Sequence, residues 1–129
     1  MPFPWWPFQR LPFGRRSEIE GAEYLRTLGW KIVASGFRTR DGEIDLIAWE
    51  GDQLVFVEVK ARRSGAPEDA VGFAKQRRIT RAARAYRTRY RLENAAYRFD
   101  ILAVIAAPGA NPRYELLRDA FRENSRGGL

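Results

Sequence analysis

Hydrophobic and polar residues follow two periods along this chain, near two in some stretches and near 3.6 in others, and the switches between them outline the elements. SEIEGAEYLRTLG reads as a helix over residues 18–28. Ser17 is its expected N-cap, Glu20 completes a capping box and Gly29 stands where a C-cap glycine belongs. WKIVASGFR (30–38) is a strand interrupted near Ser35-Gly36, and Arg40-Asp41-Gly42 supplies a turn. EIDLIAW (43–49) and QLVFVEVK (53–60) are two strands separated by Glu50-Gly51-Asp52, which predicts an antiparallel hairpin. Residues 61–69 form a loop. A second helix is expected from 74 to 92, with Ile79, Ala82, Ala83, Tyr86 and Tyr90 on the side that faces a sheet. Arg77, Arg81, Arg84, Arg87 and Arg91 gather on the solvent side. YRFDILAVIA (97–106) is a nearly continuous apolar strand suited to a sheet interior. After a turn at 108–112, RYELLRDAF (113–121) fits either a short strand or a helix. The order α-β-β-β-α-β plus a final element predicts an α/β (α+β) domain, a mixed sheet flanked by two helices.

With 129 residues there is room for one domain with a real core, placed at 15–121. Residues 1–14 hold four of the seven prolines and five aromatics, which predicts a loosely docked tail, either an unstructured leader or a segment that binds a partner. Residues 122–129 are expected to fray. No stretch has the aliphatic character of a signal peptide, and none approaches 18 apolar residues, so the expected setting is cytoplasmic and away from membranes. Lys and Arg number 23 against 16 Asp and Glu, a net charge of +7 that suits a polyanionic partner, nucleic acid before membrane. The absence of Cys and His excludes disulfides, thiolate nucleophiles, Cys/His zinc sites and every Ser-His or Cys-His device. Chemistry must then come from carboxylates, Lys, Arg, Tyr or a hydroxyl, with a hard, oxygen-seeking metal as the available aid.

The hairpin is where such chemistry can collect. If Gly51-Asp52 is a two-residue turn, Glu50 pairs with Gln53, Asp45 falls opposite Glu58 and Glu43 opposite Lys60. Opposed residues have Cβ atoms about 4.5–5.5 Å apart, and like charges so placed repel unless a cation intervenes. Lys60 or a bound divalent cation, Mg²⁺ or Mn²⁺, would relieve the repulsion, and these parts together fit metal-assisted hydrolysis of a phosphodiester. The same alternation also describes any half-exposed hairpin with a solvated face, so a structural reading stays open beside the catalytic one.

GEIDLIA (42–48) followed by LVFVEVKAR (54–62), with AEYLRTLGW upstream, the Lys75-Gln76-Arg77-Arg78 segment and RFDILAV (98–104) downstream, resembles the YraN-like family of small bacterial proteins in order and spacing over residues 17–121. That family is placed in the restriction-endonuclease-like PD-(D/E)xK superfamily and is similar to archaeal Holliday junction resolvases. The resemblance implies a restriction-endonuclease-like mixed sheet carrying Asp45, Glu58 and Lys60 as the acid, acid and lysine of the signature. Glu18 on the first helix joins the catalytic set, and the Val59 carbonyl joins Asp45 and Glu58 as a metal ligand. Ile44 precedes Asp45 where the superfamily signature has proline, and Ser17 stands where relatives typically carry glycine. The proline-aromatic tail matches no part of the family pattern.

These readings predict a Mg²⁺- or Mn²⁺-dependent DNA endonuclease that recognises structure rather than sequence. The alternatives are a nucleic-acid-binding module of the same fold that does not cleave and a protein-interaction adaptor using the Trp-rich tail. The arginine face, with Lys75 and Gln76 at its start, is expected to contact phosphates, DNA more readily than RNA. Analogy with resolvases adds a homodimer. Among the remaining polar groups, Glu43 is expected to pair with Lys60 or an arginine, and Asp100 to pair with Arg98 or cap the sheet.

Overall fold

The computed structural model describes residues 13–63 and 71–123. The expected 1–14 tail lies almost wholly outside those residues, as do most of the 61–69 loop and residues 124–129 of the fraying end. The elements are α1 (Phe13–Thr27), β1 (Lys31–Arg38), β2 (Glu43–Glu50), β3 (Gln53–Arg62), α2 (Phe73–Arg89), β4 (Tyr97–Ile105) and β5 (Arg113–Phe121). They build the mixed α/β arrangement expected from the sequence, one five-stranded sheet in the order β1-β2-β3-β4-β5 with two helices packed against it. Only β3 and β4 run parallel. A parallel pair needs a crossover rather than a hairpin, and α2 supplies it. The segment at 113–121 resolves as a strand, the antiparallel edge partner of β4.

Alternation along the strands divides the core between two faces. Ile47, Leu54, Phe56, Phe99 and Ile101 pack against Ile79, Ala82, Ala83 and Tyr86 of α2. Leu46, Ala48, Val55, Val57 and Leu102 pack against Ala22, Leu25 and Trp30, on α1 and just beyond it. Phe56 lies at the centre of the first face, stacked on Phe99 at 5.5 Å and edge-on to Tyr86 at 6.1 Å. Truncating such a residue to alanine costs about 3–5 kcal/mol. No helix among the described residues is long and apolar enough to cross a membrane.

The expected capping box is not made, because α1 begins a turn earlier and Ser17 lies inside it. Ser17, Glu18, Gly21, Ala22 and Leu25 form the buried stripe of the helix, so packing against the sheet overrides the local capping signal. The other end closes as expected: Gly29 has φ +92°, its N–H donates to the Arg26 carbonyl and that of Trp30 to the Leu25 carbonyl, a Schellman motif. The α2 helix ends at Arg89 rather than 92. Leu92 N–H donates to the Arg87 carbonyl and Arg91 N–H to that of Thr88, so Arg91, at φ +57°, occupies the left-handed position usually taken by glycine. That turn leaves Tyr90 49% exposed, not in the core as expected. Gly42 packs against α2 so closely that a Cβ there would lie 2.5 Å from the Arg78 carbonyl oxygen, which anchors the β1–β2 turn to the helix.

Candidate active site

Between β2 and β3 the register is the expected one from Glu50 opposite Gln53 to Leu46 opposite Val57. The ladder stops there. Its next rung would join Ile44 to Val59, but the Val59 N–H donates to Asp45 Oδ2 at 2.8 Å, a carboxylate taking the place of a backbone carbonyl. Ile44 and Glu43 stay paired with Phe37 and Arg38 of β1, while β3 continues beside β4 as far as Arg62 opposite Ile105. The two strands therefore fork. The expected ladder pairs of Asp45 with Glu58 and Glu43 with Lys60 are not formed, because each strand follows its other neighbour. Glu43 instead accepts a hydrogen bond from Arg38 Nη2 at 3.2 Å. A residue in a strand directs its own N–H and C=O to the same side, so the Val59 carbonyl also points towards the fork.

The two carboxylates nevertheless meet. Asp45 is pushed from the ordinary 3.8 up to about 8, first by burial and next by the Glu58 charge. Glu18 adds to the rise and a hydrogen bond with the Glu58 carboxyl completes it, while the Val59 N–H pulls the other way. Glu18 and Glu58 are 8% and 6% exposed, which makes them two of the few charged side chains held inside the molecule. Among the described residues no three acidic side chains converge on one ion-sized point, so Glu18 stands near the pair without completing a triad.

A cation that sequence spacing did not place beside Glu58 is already there. Lys75, in the first turn of α2, forms an ion pair with Glu58 Oε2. Burial works against the Lys75 ammonium, but Glu58 and Asp45 outweigh it and leave its pKa raised. The sequence put Lys75 among the phosphate contacts. Only the crossover of α2 over β3 brings its first turn onto Glu58. Lys60 is half-buried, two residues beyond Glu58 on the same side of β3, and makes no ion pair with a described residue.

The basic face of α2 is smaller than its sequence suggests. Arg77 and Arg81 are exposed. Arg84 is ion-paired with Glu123, and Arg87 lies 4.0 Å over the Tyr97 ring while donating to the Glu93 carbonyl. Arg91 is outside the helix altogether. Gln76 is half-buried, and its Nε2 donates at 2.7 Å to the Val71 carbonyl, which helps fix the start of α2. Asp41, Arg81, Arg84, Thr88 and Arg89 line an open cavity of about 610 Å³ on this side of α2.

Asp100 is fully buried within β4 and pairs with Arg98, the first of its two expected structural roles. Arg98 grips its carboxylate through Nε and Nη2, and its Oδ1 accepts the Asp119 N–H at the bulge where β5 slips register against β4. Arg98 also reaches Gln53 and Glu50, and Arg118 reaches the same Glu50 oxygen. This network ties the far end of the sheet together, away from the fork.

The profile of the uncharacterised protein family UPF0102 matches residues 17–104, which contain Glu18, Asp45, Glu58, Lys60 and Lys75. A UPF0102 protein of Syntrophus aciditrophicus is 45% identical over 116 residues, covering 88% of this chain and 91% of its own. One from Rhodococcus opacus is 44% identical over 114 residues, covering 86% and 97%. One from Syntrophotalea carbinolica is 48% identical over 100 residues, covering 75% and 81%.

Proposed function

Since the chain belongs to the UPF0102 family, the YraN-like family that its motifs resemble, we propose that it is a divalent-metal-dependent endonuclease that hydrolyses phosphodiesters of structured DNA. The observation that carries this reading is the meeting of Asp45 and Glu58 at the β2–β3 fork, where burial and mutual repulsion raise Asp45 to about 8. Holding two carboxyl groups against each other in a largely desolvated place costs stability, and the arrangement is reasonable where a cation is to be bound. The donor set suits Mg²⁺ or Mn²⁺, which take hard oxygen ligands and are satisfied by one or two carboxylates plus water. Asp45 and Glu58, with the Val59 carbonyl, would hold the ion, whose chemistry when bound is to polarise a phosphate oxygen and acidify water. Lys60, on the same side of β3, orients the attacking water and offsets charge that builds on the phosphorus oxygens. Glu18 tunes the pair by its charge, and Arg77 and Arg81 hold the strand by its phosphates.

Lys60→Ala should therefore lower metal-dependent cleavage of branched, flapped or single-stranded DNA by about 10²–10⁴-fold, while DNA affinity changes only a few-fold. The test is a cleavage panel with Mg²⁺ and Mn²⁺ run beside equilibrium binding on the same substrates. One observation favours a second reading, a nucleic-acid-binding module that does not cleave: Lys75 already supplies the positive charge that Glu58 requires. Wild-type protein that binds the panel, cuts none of it and is matched throughout by Lys60→Ala would establish that reading and end the first.

A further inference from the structure

The Lys75–Glu58 ion pair has a consequence for the order of events at the fork, and it rests on the metal-dependent reading above. Glu58 is 6% exposed and its Oε2 is held by the Lys75 ammonium, so an ion approaching that oxygen competes with a positive charge already in place. Lys75 itself is half exposed at its side chain and hangs from the first turn of α2, immediately after the chain enters the helix. A lysine has four rotatable bonds and a compact charge, so it can leave a buried carboxylate for solvent without moving the backbone. Asp45 lies within the same field, so a single ammonium now offsets what a divalent ion would otherwise neutralise. We propose that Lys75 is a tethered competitor for the metal: its ammonium holds Glu58 in the ion-free protein and must swing out before Glu58 can serve as a ligand.

The competition has a definite sign. Removing the ammonium takes away the rival for Glu58 and leaves its buried carboxylate without the counter-charge it now has, so affinity for a cation rises. Lys75→Met keeps most of the length of the side chain and removes its charge. It should bind Mn²⁺ about ten-fold more tightly than wild type, the size of effect expected for a partly buried ion pair worth about 1.4 kcal/mol. Lys75→Arg keeps the charge and should stay within about two-fold of wild type.

The measurement is a Mn²⁺ titration followed by electron paramagnetic resonance, which reports free ion directly and needs neither DNA nor turnover. Wild type, Lys75→Met, Lys75→Arg and Asp45→Asn are compared at equal protein concentration. Tightening confined to Lys75→Met, with binding lost in Asp45→Asn, supports the proposal. Unchanged or weaker binding by Lys75→Met, with Asp45→Asn still inactive in binding, overturns it and leaves the metal site standing, Lys75 then being an orienting partner of Glu58. Failure of all four proteins to bind Mn²⁺ overturns both the competitor and the metal-dependent reading.

Discussion

Asp45 concentrates the chemistry of this protein in one side chain. It serves the fold, because its Oδ2 satisfies a backbone donor at 2.8 Å where the ladder has run out of carbonyls. It also works against the fold, because burial and Glu58 keep it protonated up to about 8, whereas in the unfolded chain it ionises near 3.8. The folded state thus holds a proton that the unfolded state has released, so stability falls as pH rises from about 4 to about 8. Asparagine retains an oxygen to accept the Val59 N–H and carries no charge. In metal-free buffer, the unfolding temperature of Asp45→Asn should match wild type near pH 4 and exceed it by a growing margin up to pH 8, then by a constant one. A margin independent of pH would contradict the origin assigned to the shift. Glu58→Gln would not behave alike, since it strips Lys75 of the partner that holds the ammonium in place.

At the scale of elements, the ends decide more than the middles. The two helices each close with a Schellman motif, one with Gly29 and one with Arg91 in the left-handed position. Glycine enters that region freely, whereas a residue with a Cβ is strained there by about 1–2 kcal/mol. Arg91→Gly should therefore stabilise the protein by about 1 kcal/mol, seen in urea unfolding as a higher midpoint at unchanged slope. Its effect on DNA binding should be small, because Arg91 lies beyond the helix face on which Arg77 and Arg81 stand. The β2–β3 hairpin follows the same logic. Its turn end is regular, and its open end forks because a side chain replaces a rung, which is what turns two ordinary strands into a pocket for carboxylates.

Across the whole molecule, the +7 net charge is distributed unevenly between work and structure. Arg98 and Arg118 are committed to Glu50, and Arg84 to Glu123. Arg77 and Arg81 remain exposed on α2. If they neutralise phosphates, replacing both by alanine should flatten the dependence of log affinity on log salt by about 0.9 for each phosphate left unneutralised. Arg84→Ala should change that slope less and lower stability modestly, since the exposed pair with Glu123 is worth at most about 1 kcal/mol. Filter binding or fluorescence anisotropy on mixed-sequence DNA between low and moderate salt distinguishes the two. Equal slopes for wild type and the Arg77/Arg81 double variant would mean that α2 presents a solvated face and nothing more.

Local pattern is enough to locate nearly every element, because period and turn chemistry are properties of neighbouring residues. The capping glycine at 29, the register from Glu50–Gln53 onward and the apolar face of α2 are legible for that reason. The acid pair is legible too, as alternation assigns Asp45 and Glu58 to a common face. What alternation cannot supply is anything set by competition between partners distant in the chain. Whether β2 stays with β3 or follows β1 decides the fork. Whether Ser17 caps or packs depends on the sheet beneath α1, and whether 113–121 is strand or helix depends on the free edge of β4. The identity of the cation beside Glu58 is of the same kind. Lys60 is two residues from Glu58 in sequence and on its side of the strand, yet the ion pair goes to Lys75, seventeen residues on, because the crossover helix delivers its first turn to the open end of the hairpin. Residue types and periods are written in the sequence; which buried charge is answered by which partner is decided only when the elements have packed, since a side chain inside the protein takes the nearest counter-charge in space.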